Sequence, residues 1–190
     1  MRLHAASASL VVFMWSCPIR LGGPGATVQI DESLFARAKH NRGHALHLPQ
    51  VWIFGLYDPD RQEGYLRLVD ARDGDTLYPI IEEVLRPGSV ICSDEWAAYR
   101  RITQQPHPQQ FQHRTVNHQQ HYVDPVTGCT TNHVEAYLSR VKKRVKRKNG
   151  LSRLVLPAFL DECMWRDRFG KTSASAFQNI LLDIAARFPC

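Results

Sequence analysis

No stretch of this sequence approaches the roughly 18 apolar residues of a membrane-spanning helix, so a membrane is not among the expected partners. Cysteines are few and do not pair by spacing. There are five (Cys17, Cys92, Cys129, Cys163 and Cys190), an odd number with no C-x-x-C among them. That excludes a zinc ribbon within these residues and a fully paired disulfide framework. They read as reduced thiols of an intracellular protein. No internal repeat is visible, and 190 residues suffice for one domain with a real core. Acid is in deficit: 18 Asp and Glu against 24 Lys and Arg leave a formal net charge of +6. A polyanionic partner is the natural reading of that excess, because it is concentrated in one place.

That place is the stretch from Thr130 to Lys148. Val134, Leu138, Val141 and Val145 recur at helical spacing and form one apolar stripe. A hydroxyl of Thr130 or Thr131 is expected to cap the start. Glu135 sits near the first turn, where the helix dipole tolerates an acid. Lys142 lies seven residues on, about two turns, on the same side. Arg140, Lys142, Lys143, Arg144, Lys146, Arg147 and Lys148 make the helix densely cationic. An acid at one end and cations towards the other suit chemistry on a phosphate backbone.

The chain before this helix alternates strands and turns. Gly22-Gly23-Pro24-Gly25 is a turn; residues 27–30 read as a strand with Asp31 and Glu32 at its end; 33–49 read as a polar, basic loop. Residues 51–57 and 64–69 read as a hairpin about Asp58-Pro59-Asp60. A helix is expected over 75–85, a short strand over 89–93, a short helix over 95–102 and a fifth strand over 111–117. Two further helices are expected at 154–169 and 175–188. Three strands, then a helix, a strand, a helix, a strand and a long helix predict an α/β fold: a ribonuclease H-like mixed sheet flanked by helices, with extra C-terminal helices.

Two acids follow expected strands directly, Asp31 and Asp94, and Glu135 lies on a helix. Hard divalent cations take oxygen ligands and keep several waters, so two or three carboxylates suffice for Mg²⁺ or Mn²⁺. Two such ions activate an attacking oxygen and stabilise a leaving one in phosphodiester chemistry. Spacing alone leaves Asp70, Asp73, Asp75 and Asp124 as competitors. His113, His118 and His121 read as loop hydrogen-bonding residues rather than metal ligands. Trp52 and Trp165 read as core, and Trp96, beside Asp94, is left open between core and stacking surface.

A series of ordered motifs resembles the catalytic domain of ISXO2-like transposases, the IS1016/IS1595 group, whose animal relatives are the Merlin transposons. The motifs include Gly22 to Gly25 with Val28-Gln29-Ile30-Asp31-Glu32-Ser33, Lys39-His40-Asn41-Arg42-Gly43, Trp52-Ile53-Phe54-Gly55 and Ser93-Asp94-Glu95-Trp96. Val116-Asn117-His118, Tyr122-Val123-Asp124-Pro125, Thr131-Asn132 with Val134-Glu135, and Met164-Trp165-Arg166 continue the series. The resemblance runs from about residue 22 to 170. It implies a DDE-type, Mg²⁺- or Mn²⁺-dependent DNA strand transferase acting on transposon ends and target DNA, working as a homo-oligomer. Such an enzyme belongs in the nucleus of a eukaryote or the cytoplasm of a bacterium. It further implies that Asp31 and Asp94 are the first and second acids and Glu135 the third. Asn132 stands ready for that last role, which an Asn fills in some relatives. Lys142 matches the basic residue that touches the DNA end. Thr130 and Leu138 depart from the His and Trp common there. Relatives usually carry an N-terminal end-finding segment that has no counterpart in these residues, so an inactive or domesticated DNA-binding remnant is the alternative. Residues 1–21 read as a leader, either a non-native start or a signal-like segment; 22–170 as the catalytic domain; and 171–190 as a C-terminal helix.

Overall fold

The computed structural model describes residues 18–36, 50–103, 108–148 and 151–187. Most of the leader and all of the basic stretch 39–47 lie outside them. Five strands form one sheet: β1 (Thr27–Ala36), β2 (Val51–Asp58), β3 (Glu63–Val69), β4 (Val90–Asp94) and β5 (Gln112–Val116). The helices are α1 (Gly74–Val84), α2 (Asn132–Arg147), α3 (Leu156–Phe169) and α4 (Ser173–Arg187), with a 3₁₀ helix at Ala97–Thr103. The strand order is β3-β2-β1-β4-β5. The first three strands run antiparallel, and β4 and β5 add parallel to β1. The parallel additions need crossovers, which α1 and the 3₁₀ helix supply. This mixed five-stranded sheet with flanking helices is the ribonuclease H-like arrangement that the order of elements predicts.

One strand is longer than its sequence pattern implies. Residues 27–30 alternate cleanly, but β1 continues through Asp31 and Glu32 to Ala36, paired with β2 from Gln29–Tyr57 to Ala36–Val51. Pairing with a buried neighbour overrides the poor strand preference of two acids. Asp31 therefore lies inside a strand and not at its end. On its other side β1 pairs with β4 only from Thr27 to Gln29, so beyond Gln29 that edge opens.

The core is continuous. Val28, Ile30, Ile53, Phe54, Leu56, Ile91, Leu138, Val141 and Trp165 are all essentially inaccessible. Ile19 and Leu21 join it, and Leu21 is bonded to the end of α1 through Val84 O at 2.9 Å. Asp73 caps α1, its carboxylate accepting from Thr76 N at 2.8 Å, and backbone at Leu85 closes it.

Helix α2 lies flat on the sheet because two strand positions carry no side chain. A Cβ at Gly55 would sit 2.9 Å from Leu138 Cδ2, and one at Gly64 would run into the Tyr137 ring. Gly64 is the ladder partner of Tyr57, whose ring is 5.2 Å from that of Tyr137. Gly64→Ala should therefore overpack the α2–sheet contact at a cost of about 1–3 kcal/mol. For a chain of this size that is roughly 2–4 °C of melting temperature per kcal/mol, readable by thermal denaturation.

Candidate active site

Successive strand residues point to opposite faces, so Gln29 and Asp31 share the face that α2 covers. Gln29 Oε1 accepts from the backbone N–H groups of His133 and Val134, at 2.9 and 3.1 Å. Those are two of the orphan donors of a helix start. Thr131 occupies the N-cap position without using its side chain as a cap, and Thr130 Oγ1 accepts from Asn132 N at 3.2 Å. The expected threonine cap is thus only part of the closure. A strand glutamine, 2% exposed, does the rest and ties the first turn of α2 to β1 next to Asp31.

The register of β1 on β4 pairs Gln29 with Cys92. Continued by two residues, it sets Asp31 level with Asp94, where the open edge of β1 begins. Neighbouring strands lie about 4.8 Å apart. Asp94 is fixed through its Oδ1, which accepts from Trp96 N at 3.0 Å. Asp31 Oδ1 accepts from Glu32 N at 2.8 Å. Burial pushes the Asp31 carboxyl up to about 8, with the negative charges of Glu32, Asp94 and Glu135 adding to the effect. Three carboxylates thus bear on one half-buried acid. Glu32, on the opposite face of the strand, is also shifted upward by burial, and the Tyr99 hydroxyl donates to it.

Glu135 is held from two sides. The Thr131 hydroxyl donates to Glu135 Oε1 at 2.7 Å, and His118 Nε2 lies 2.7 Å from that hydroxyl oxygen and 3.4 Å from the carboxylate. With the threonine proton committed to the acid, the threonine oxygen accepts from His118 Nε2–H. His118 therefore acts on Glu135, a role beyond simple loop bonding. His113 is not in a loop at all: it sits in β5, against Ser93 Oγ at 2.8 Å. Asn132 is exposed in the first turn of α2.

Three of the four competing acids have other work. Asp73 caps α1, Asp70 pairs with Arg153, and Asp124 accepts from Val126 N and Thr127 N in its own turn. Trp165 is fully buried, as expected. Trp52 is only half-buried, and the Arg72 guanidinium lies over it at 3.8 Å and over Trp96 at 4.9 Å. Trp96 is 42% exposed beside Asp94. The three described cysteines, Cys92, Cys129 and Cys163, are free and buried.

Among the described residues no three or more His, Cys, Asp or Glu side chains are gathered closely enough to hold a metal ion together, Asp31, Asp94 and Glu135 included. The donor set nonetheless fits a hard divalent cation. Mg²⁺ keeps several waters and is held by one or two carboxylates, and it does not require an all-protein cage. A half-buried Asp31, raised first by desolvation and then by three like charges, is an arrangement that a cation would relieve. Also among the described residues, no helix is long and apolar enough to cross a membrane.

The cations of α2 do not form one exposed stripe. At about 100° per residue, Lys142 and Lys146 fall on the flank of Glu135, and Lys142 Nζ stands 5.8 Å from the Phe35 ring of β1. Arg140, Arg144, Arg147 and Lys148 fall on the opposite flank, towards α3, and Lys143 lies between. Arg144 is half-buried and paired with Asp167 of α3 at 3.2 Å.

Known proteins resemble this chain in sequence and in shape. An uncharacterized transposase-like protein of Haemophilus influenzae is 26% identical over 91 residues, 48% of this chain and 69% of that protein. Among solved structures, the simian T-cell lymphotropic virus intasome in complex with the PP2A regulatory subunit B56 gamma aligns at 13% identity and a TM-score of 0.49. That alignment covers 77% of this chain, which spans about half (49%) of the viral one. The HTLV-2 integrase catalytic core domain in complex with magnesium aligns at 12% identity over 75% of this chain and 86% of that one, with a TM-score of 0.48. The sequence model of the ISXO2-like transposase domain matches residues 21–167, from the first core residues before β1 to the end of α3. A match over that much of the chain shows the family: the chain belongs to the ISXO2-like transposase domains.

Proposed function

We propose that this transposase-type domain cleaves and transfers DNA strands in a DDE-type reaction, with Asp31, Asp94 and Glu135 as its acids. The observation that carries the reading is the β1–β4 register that sets the half-buried Asp31 level with Asp94, with the charges of Asp94 and Glu135 both acting on its carboxyl. These three residues would hold Mg²⁺ or Mn²⁺. A bound divalent ion supplies charge neutralisation at the phosphodiester and activation of the attacking oxygen. The chain's own groups then divide the remaining work. Asp31 and Asp94 are fixed to backbone N–H groups, and Glu135 is aimed by Thr131 and His118. Glu135 is favoured over Asn132 as the third residue, because its carboxylate is oriented and its charge reaches Asp31. Lys142, on the same flank, positions the reacting strand. Hydrolysis of one strand at the transposon end leaves a 3′-hydroxyl, which is then joined to target DNA. Joining two ends calls for more than one subunit. Phe177, Leu181 and Ile184, exposed along one side of α4, supply an apolar face for a second copy.

The test is metal-dependent nicking of a matched transposon-end duplex by the purified chain. DNA binding with no Mg²⁺- or Mn²⁺-dependent nicking would establish the inactive remnant in its place. His118→Ala refines the reading. Loss of its N–H frees Thr131 and loosens Glu135, so the nicking rate at saturating DNA should fall about 10–100-fold. The affinity for DNA should stay unchanged, and His118→Gln, which retains an N–H donor, should recover part of the rate. A fall in melting temperature with no change in rate would mark His118 as merely structural.

A further inference from the structure

The division of the α2 cations leaves four of them turned away from the acids, and α3 meets them with more of the same charge. A cavity of about 710 Å³ opens between the two helices. Arg140, Arg144, Arg147 and Lys148 line it from α2, and Arg166 and Lys171 from α3 and the turn after it. Tyr57 and Phe159 add an apolar surface.

Two carboxylates also line this cavity, and both are already engaged. Glu162 takes Arg166 at 2.9 Å, and Asp167 takes Arg144 at 3.2 Å. Arg140 and Lys148 lie over aromatic rings, those of Tyr137 and Phe159, and neither they nor Arg147 and Lys171 have a carboxylate partner among the described residues. Arg144 has one further unmet need. Its Nη1 is buried with no oxygen acceptor, although Nη2 reaches Asp167 and the Cys163 thiol lies beside the guanidinium. A guanidinium nitrogen offers donors only, so the missing partner is an acceptor. A surplus of cations with unused donors fits an anion that brings several acceptor oxygens, and phosphate meets that description through paired contacts to Arg.

We propose that the cleft between α2 and α3 is a second phosphate-binding site, which holds the DNA backbone away from the acid cluster. Twelve residues separate Glu135 from Arg147 along α2, a rise of about 18 Å. At about 3.4 Å per base pair, that places the held phosphate on the order of five base pairs from the reacting one. Contacts of this kind fix register on the duplex and carry no sequence information. The inference rests on DNA being the substrate but not on the acids being active.

The experiment is therefore done in EDTA, where cleavage plays no part. The triple variant Arg147→Ala/Arg166→Ala/Lys171→Ala removes three exposed cations of the cleft and is compared with Lys142→Ala/Lys146→Ala from the other flank. The probes are a 20-base-pair duplex of arbitrary sequence, followed by fluorescence anisotropy across a salt series, and inorganic phosphate, followed by thermal melting. The cleft variant should lose the stabilisation by phosphate. Its salt slope on DNA should flatten by about 2–3 units, at roughly 0.9 per phosphate neutralised. The Lys142/Lys146 variant should keep the phosphate effect. An unchanged salt slope in the cleft variant overturns the proposal, whatever phosphate does. Loss of the phosphate effect alone reassigns the cleft to small anions. Absence of metal-dependent nicking in a chain whose cleft variant behaves as expected sinks the enzymatic reading and leaves this one standing.

Discussion

Asp31→Asn and Asp94→Asn should each reduce metal-dependent strand cleavage to background while the protein stays folded. Each replacement keeps the shape of the side chain and removes the charge that a hard cation needs. Neither should weaken DNA binding in EDTA, because neither removes a cation. Full activity in either variant would sink the assignment of the acids. Asp31→Asn carries a second expected result, on stability. The Asp31 carboxyl is raised from an ordinary value of 3.8 to about 8 by burial and then by its acidic neighbours. The folded protein therefore binds more protons here than the unfolded chain between those two values. The stability that this proton contributes is fully present below about pH 4 and is lost as pH rises through about 8. In EDTA, the wild-type melting temperature should fall across that window more steeply than that of the variant, and by pH 9 the variant should be the more stable. Added Mg²⁺ should stabilise the wild type most at the alkaline end, where the proton no longer competes, and should do little for the variant. A variant that melts lower than the wild type at pH 9 in EDTA would show that Asp31 is not under the charge stress described here.

How much of this is visible in the residues themselves differs from one part to another. The sheet is legible because β2, β3 and β4 carry apolar runs bounded by turn residues, and α2 because its stripe repeats at 3.6. The length of β1 is not legible. Asp31, Glu32 and Ser33 look like the end of a strand, and only pairing with Trp52, Ile53 and Phe54 carries the strand onward. The acids are legible as candidates, since strand order and the family motifs both single them out. Their supporting contacts are not. Gln29 stands at the polar position of a clean Val28-Gln29-Ile30 alternation, a position that reads as solvent-facing, and it is buried only because α2 covers that face. Nothing local says that its partners are the amides of His133 and Val134, more than a hundred residues on. The split of the α2 cations was there to be read, since 100° per residue assigns Lys142 and Arg144 to different flanks. The membership of Arg166 and Lys171 was not, because it depends on how α3 packs back against α2.

Gln29 also carries the last expected result. Its side-chain carbonyl joins the first turn of α2 by hydrogen bonds to the strand that bears Asp31. Gln29→Leu fills nearly the same volume and removes the acceptor. One buried and one part-buried backbone N–H group then lose their partner at once, and an unsatisfied buried donor costs about 1–3 kcal/mol. Discounted for local relaxation, the loss should be about 2–4 kcal/mol, or roughly 4–16 °C in melting temperature. The cost should be larger than that of losing a surface cap, because Val134 is fully buried and water cannot replace the lost acceptor. The same bond sets where α2 begins over the sheet, and with it the height of Glu135 above Asp31. Cleavage should therefore fall by more than the unfolded fraction accounts for, even at a temperature where the variant is fully native. Gln29→Glu separates the two effects. It restores an acceptor at the positive end of the helix dipole, yet adds a fourth negative charge beside Asp31. It should regain much of the lost stability near neutral pH, and lose it again on the alkaline side as Asp31 ionises. If Gln29→Leu melts like the wild type, the start of α2 is held by its own packing and Gln29 has no part in placing the third acid.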